Sequence, residues 1–358
     1  MEIYIDPDRP LRYAYRADNR SLVDRYLLRH WWPVAIKAIP RRAPANLVSM
    51  VGNLGSYLSF LILSGLLFGP VSAAGLEHPW IFGLVAFGYF FYQTLDALDG
   101  IQARRIGSSG PLGEFVDHWF DSFNVFLLPL GLSLAFPVVP YQLAAVALLV
   151  FTATDWFQLR ALASLEVLVF PPVSSEEGQV LDQLFFVLIW ILGYGLFVRP
   201  LVLGLPFITI GFVVLVAGML WTAARCAKDS AKPHLYLAEL LSLAPMAAWI
   251  LIMYPRIGGT ALLAGGLLLG FSGSRFSGEL LRERLVGTRY TAFTPDILAI
   301  DLLILATAAS PSLPAWVPLA AVWASLAWTA LALSRQFART VARVRVVTGR
   351  GLMWPLTA

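Results

Sequence analysis

Apolar stretches of about 20 residues recur along the whole chain, and that recurrence constrains the fold more than any other feature. Each stretch is long enough for an α-helix to cross about 30 Å of hydrocarbon, where every backbone N–H and C=O must find its partner inside the segment. Of 358 residues, 58% are hydrophobic and 13% charged, against roughly 25% charged in soluble domains. Mean hydropathy is +0.71. These values exclude a single soluble core and predict an all-α, polytopic membrane protein. About ten spans are expected, over residues 47–69, 80–98, 118–139, 141–159, 181–198, 201–223, 234–254, 258–274, 293–309 and 315–336. Turn signals such as Pro171-Pro172 and Pro311 separate them.

Charge placement tests the count. Lys37, Arg41 and Arg42 precede the first span, and Arg104 and Arg105 follow the second. Arg225, Lys228 and Lys232 lie after the sixth, while Arg275, Arg282, Arg284 and Arg289 follow the eighth. Arg335, Arg339, Arg343, Arg345 and Arg350 cluster at and beyond the last. With a cytoplasmic N-terminus, 24 of 26 basic residues fall on that side, leaving only Arg199 and Arg256 opposite. The positive-inside rule therefore expects both termini in the cytoplasm. A net charge of +4 is too small to suggest nucleic acid.

Three regions follow. Residues 1–45 form a cytoplasmic segment in which Arg20, Arg25, Arg29, Trp31, Trp32 and Lys37 alternate with Leu22, Tyr26, Leu27 and Leu28. That pattern suits an amphipathic helix on the membrane surface, or a soluble helix capping the loops. No apolar h-region occurs there, so no cleavable signal peptide is expected. Residues 46–336 form the membrane domain, and 337–358 a basic cytoplasmic tail. The single cysteine, Cys226, excludes an internal disulfide.

Carboxylates near hydrocarbon are expensive and mark a site. Asp96 and Asp99 end the second span, and Asp117 and Asp121 open the third. Their spacings of three and four put each pair on one helix face. The turn Gly107-Ser108-Ser109-Gly110-Pro111 folds the two helices antiparallel, so that four carboxylates oppose one another. Such a cluster needs cations, and an all-oxygen set suits Mg²⁺, Mn²⁺ or Ca²⁺. Two ions about 3.5–4 Å apart would clamp the phosphates of an in-line displacement. Gly100 and Gly113 leave room for a nucleotide, and Arg104 offers a fork to a phosphate.

Residues 96–121 match D-x2-D-G-x2-A-R-x8-G-x3-D-x3-D without a gap, and the chain thereby resembles the CDP-alcohol phosphotransferase family. Tyr92-Gln93-Thr94-Leu95, Ser108 to Glu114, Asp117-His118 and Asn46-Leu47-Val48-Ser49 with Gly52 resemble its choline/ethanolamine phosphotransferase branch. The resemblance implies a homodimeric enzyme moving phosphocholine or phosphoethanolamine from a CDP-alcohol to diacylglycerol. Carried over by position, Asp96, Asp99, Asp117 and Asp121 are metal ligands, and Asn46, Gly100, Ala103, Arg104 and Gly113 line the CDP site. His118 is then the general base, with Asp121 as its rival. An imidazole is also a competent base on its own chemistry, though it could instead orient Asp117 or Asp121. Glu177 resembles an acidic residue supporting that base, or is a solvated loop charge.

Departures are Ala45 in place of a proline, the bulky Trp119-Phe120 pair, and the segment Trp156 to Ala161. The last bears on the identity of the head group. A CDP-diacylglycerol enzyme acting on a soluble alcohol is the second reading, and a cation or lipid transporter the third. Gly266-x3-Gly270 allows close helix packing, and Trp316 suits an interfacial belt.

Overall fold

Apolar runs bounded by proline and glycine fold as helices where the sequence places them. A computed structural model describes residues 17–71, 75, 77–165, 168–170, 175–229, 235–288, 290 and 294–354. Lys232, Arg289 and Pro171-Pro172 lie outside the described residues, as do the ends of the first and third sequence regions. The fold is 82% helical. A π-helical turn, Asp24–Leu28, runs into α1 (Arg29–Ala35) and a 3₁₀ turn, Ile36–Ala38. The long helices are α2 (Ala45–Leu63), α3 (Trp80–Arg105), α4 (Pro111–Ala135), α5 (Tyr141–Leu165) and α6 (Ser175–Leu192). After the short α7 (Tyr194–Val198) come α8 (Phe207–Asp229), α9 (Leu235–Ile257), α10 (Gly259–Val286), α11 (Pro295–Ala308) and α12 (Trp316–Thr348).

Each expected span overlaps one long helix. Six helical stretches among the described residues are long and apolar enough to cross a membrane: 45–63, 80–105, 141–163, 207–228, 240–257 and 316–348. This is an integral membrane protein. α4 falls short of that standard because polar residues such as His118, Asp121 and Asn124 lower its hydropathy, and α11 because it has only 14 residues. Two small sheets interrupt the expected all-helical pattern. β1 (Ala17–Asn19) pairs in parallel with β2 (Leu168–Phe170), and β3 (Pro200–Val202) forms a tight hairpin with β4 (Leu205–Pro206). Leu203 and Gly204, both at positive φ, make the hairpin turn.

One buried cluster gathers Phe115, Phe126, Leu130, Trp156, Trp249 and Phe276. A second gathers Phe82, Phe136, Phe186 and Phe212. Outward-facing Leu54, Phe87, Leu188 and Ile191 are exposed, as a hydrocarbon solvent requires. Trp316, 68% exposed at the start of α12, fits an interfacial belt.

Small residues set the spacing next to the site. A side chain at Gly55 would collide with the Gly88 carbonyl, and one at Gly88 with Ser59 Oγ. A Cβ at Gly52 would lie 2.8 Å from Leu95 Cβ. α2 and α3 therefore pack backbone against backbone. Gly266 and Gly270 likewise face Leu130 and Phe126 of α4, so that pair packs within the subunit.

The helical N-terminal segment docks on α3. Trp31 Nε1 donates to Thr94 Oγ1 at 3.2 Å, and its ring lies 5.7 Å from that of Phe90. Ile39 joins Val48 and Leu98 in a small core. Leu22, Tyr26, Leu27 and Val34 stay exposed beside Arg25 and Arg29, so the segment both caps α3 and presents an amphipathic outer face.

Candidate active site

α3 stops after Arg105, where Gly107 (φ 67°) turns the chain and Ser108 N–H donates to the Ala103 carbonyl at 2.8 Å. Pro111, at the first turn of α4, restarts the helix with its φ already set. The reversal is clamped from outside. Gln102 Nε2 donates to the Pro40, Arg41 and Ala43 carbonyls, and Arg105 Nη1 to those of Ile36 and Ile39.

This turn brings the four aspartates together. Carboxylate oxygens of Asp96, Asp99 and Asp117 lie within 4.8 Å of one another, as do ligand atoms of Asp117, His118 and Asp121. Asp99 is buried, and the other three are partly buried. Two ionised carboxylates at 4.8 Å repel by roughly 3.5 kcal/mol at an effective dielectric of about 20. Each added carboxylate adds comparable terms, a repulsion that a bound cation would relieve. The residues fit one. The donor set is almost all oxygen, and buried Asp96 Oδ1 has no hydrogen-bond partner among the described residues. Ser49 Oγ donates to Asp99, and Tyr92 Oη to Asp121 Oδ1 at 2.7 Å, fixing two of the four.

His118 shares the first turns of α4 with these ligands, its Nδ1 4.0 Å from Asp121 Oδ2. That position suits a base and equally a group that orients Asp121. Arg104 lies one turn beyond Gly100, with Nη1 3.5 Å from where a Gly100 Cβ would be. The bare glycine lets the guanidinium lie along the helix toward the carboxylates, with Ala103 half-buried beside it. Asn46 opens α2 opposite Gly113, its Oδ1 3.8 Å from a Cβ placed there. Both line a cavity of about 240 Å³. It sits one helical turn from the carboxylates along both walls, because Ser49 follows Asn46 and Asp117 follows Gly113.

Glu177 is not a solvated charge. It is buried and accepts hydrogen bonds from Ser21 Oγ at 2.6 Å and Val23 N at 2.9 Å, holding the N-terminal segment. Trp119 packs on Phe337 (4.7 Å) and Phe123 (4.9 Å) and donates to Gln336, so its bulk is absorbed by α12.

Sequence reasoning passed over a polar network behind the aspartates. Asn124 Nδ2 donates to Asn53 Oδ1 at 2.7 Å, Ser56 Oγ to Asn124 Oδ1 at 2.6 Å, and Asn53 Nδ2 to the Ser49 carbonyl at 2.9 Å. The signal was present, since 46, 49, 53 and 56 are a helical stripe of polar residues in an apolar helix. Asp155 of α5 was also passed over; it accepts from Ser277 of α10.

No family model matches the chain. Among curated proteins, cholinephosphotransferase 1 of Xenopus laevis is 31% identical over 220 residues, which is 60% of this chain and 52% of that protein. Over part of its length this chain is similar in sequence to proteins named choline/ethanolamine phosphotransferases. Cholinephosphotransferase 1 of Saccharomyces cerevisiae is 39% identical over 116 residues, 32% of this chain and 28% of that protein. Choline/ethanolaminephosphotransferase 1 of Arabidopsis thaliana is 37% identical over 114 residues, 31% of this chain and 28% of that protein. The match thus spans about half the length of the first of these relatives and less than a third of the other two.

Proposed function

We propose that this chain is a CDP-alcohol phosphotransferase that moves phosphocholine or phosphoethanolamine from its CDP ester to the hydroxyl of diacylglycerol, releasing CMP, in phospholipid biosynthesis. The observation that carries the reading is the convergence of Asp96, Asp99, Asp117 and Asp121 beside His118, one turn from the Asn46–Gly113 cavity. The names of its relatives support it.

In this reading Asn46 and Gly113 receive the cytidine end of the donor. Gly100 leaves room for the diphosphate, and Arg104 pairs with it through its fork. The lipid hydroxyl oxygen bonds to the phosphorus that carries the head group, and the bond from that phosphorus to the CMP oxygen breaks with its electron pair leaving on CMP. The hydroxyl proton goes to His118, and Asp121, 4.0 Å from its Nδ1, stabilises the resulting imidazolium. Asp96, Asp99, Asp117 and Asp121 would hold Mg²⁺ or Mn²⁺, most simply as two ions and with Ca²⁺ able to bind, neutralising charge on the phosphates. Glu177 is assigned to support of the base through the segment it anchors. The enzyme acts as a homodimer, with termini and site on the cytoplasmic face of a bacterial inner membrane or the endoplasmic reticulum.

The test is purified protein with radiolabelled CDP-choline or CDP-ethanolamine, crossed against diacylglycerol, and CDP-diacylglycerol crossed against soluble alcohols. Head-group transfer to diacylglycerol that stops in EDTA and returns with Mg²⁺ or Mn²⁺ is expected. Full activity in EDTA, or product from CDP-diacylglycerol alone, would sink the proposal.

A further inference from the structure

One wall of the cavity beside Asn46 comes from the far end of the chain. α12 ends at Gly349, whose left-handed φ of 69° turns the chain back. The next residues lie across the mouth of the α3–α4 turn. Arg350 Nη1 donates to the Gly107 carbonyl at 3.3 Å, and Asn46 Nδ2 donates to the Leu352 carbonyl at 2.9 Å. The Arg350 guanidinium sits 4.6 Å over the Trp354 ring. Ser108, Ser109 and Gly113 line the cavity on one side, and Thr348, Arg350 and Trp354 on the other.

Two features give this wall a chemical preference. The first is an aromatic ring backed by a guanidinium, beside backbone that carries little side chain at Gly110, Gly113 and Gly351. A flat heteroaromatic base stacks on such a surface. The second is the polarity of Asn46. A carbonyl can only accept, so the Leu352 oxygen fixes the amide nitrogen of Asn46 toward itself. The amide oxygen then faces Gly113 and the cavity, 3.8 Å from a Cβ placed there. An acceptor at that point suits a base edge bearing an amino donor, as cytosine does, and opposes one bearing a carbonyl.

Resting on the reading above, we propose that the Gly349–Trp354 segment is part of the donor site: Arg350 and Trp354 form a stacking wall for the nucleotide base, and the Leu352 carbonyl orients Asn46 to select cytosine over uracil. The segment after α12 is therefore a specificity element.

The experiment uses the full chain in detergent micelles, with CMP and UMP binding measured by calorimetry and donor KM and kcat measured beside it. Trp354→Ala and Arg350→Ala should each weaken CMP binding about ten-fold, as loss of base stacking does. Both should narrow the preference for CMP over UMP and raise donor KM, with kcat at saturating donor within about two-fold of wild type. Trp354→Phe, which keeps a ring, should restore CMP affinity. Unchanged CMP affinity and preference in both alanine variants would overturn the inference while leaving the transfer reaction intact. So would a wild type that binds CMP no tighter than UMP. A wild type that binds CMP as described but transfers no head group would refute the reaction and leave this wall standing.

Discussion

Tyr92→Phe removes one oxygen atom and tests whether Asp121 must be held. The Tyr92 hydroxyl donates to Asp121 Oδ1 at 2.7 Å, and the tyrosine is buried, 5% exposed, against α4. Phenylalanine fills the same space, so the packing of α3 survives. What is lost is a hydrogen bond to a charged group, worth about 1.5–3 kcal/mol. If the carboxylate is needed in that orientation during transfer, the loss appears in the barrier, and at about 1.4 kcal/mol per decade turnover falls about 10–150-fold. The variant should also require more Mg²⁺ for half-maximal activation, because the carboxylate samples other rotamers. The assay is initial-rate transfer of labelled head group over a Mg²⁺ titration, with thermal unfolding alongside. A wild-type rate with unchanged Mg²⁺ dependence would refute the claim that this bond organises the site.

His118→Ala should cut turnover about 10²–10⁴-fold while leaving CDP-alcohol binding near wild type, whereas Asp121→Ala should lose both; poor nucleotide binding by His118→Ala would make the histidine an orienting group. Asp96→Asn, Asp99→Asn and Asp117→Asn should each leave less than about a hundredth of the activity in the same assay, a loss of roughly 2.7 kcal/mol. Glu177→Ala removes the acceptor that Ser21 Oγ and Val23 N share, and should destabilise the protein by about 1–3 kcal/mol and expose Arg25 and Arg29 to limited trypsin digestion. Cys226, near the end of α8, should react with a thiol reagent applied from the cytoplasmic face of sealed vesicles, and labelling only from the opposite face would invert the topology.

The parts of the molecule that could be read from sequence are those governed by short-range rules. Helix positions followed from apolar length, and the aspartate cluster from spacings of three and four across a glycine–proline turn. The small sheets escaped because β1 and β2 are three residues each and join strands about 150 positions apart, for which no local pattern exists. Glu177 was ambiguous for the same reason: its partners, Ser21 and Val23, are more than 150 positions away. The crossing of Gly349–Trp354 over the cavity was equally hidden, since a glycine after a basic helix announces a turn but not its destination. The stripe at 46, 49, 53 and 56 was there to be found, and was obscured only because its first residues already belonged to a recognised pattern.

That stripe explains why the site is set on helices rather than on loops. α2 offers Asn46 to the cavity, Ser49 to Asp99, and Asn53 and Ser56 to Asn124, all along one face. Its adjacent face carries Gly52, Gly55 and Ser59, which let it lie directly on α3. A shift of α2 along its axis would therefore break the polar contacts and drive Gly55 and Gly88 into collision together. The cavity and the carboxylates are consequently separated by about one helix pitch, about 5.4 Å, on both the α2 and α4 walls. In the proposed reaction, a diphosphate joining a base in the cavity to metals at the aspartates would span that fixed rise. Catalysis by positioning requires such a constant, because displacing reacting atoms by about 1 Å can cost about a hundred-fold in rate.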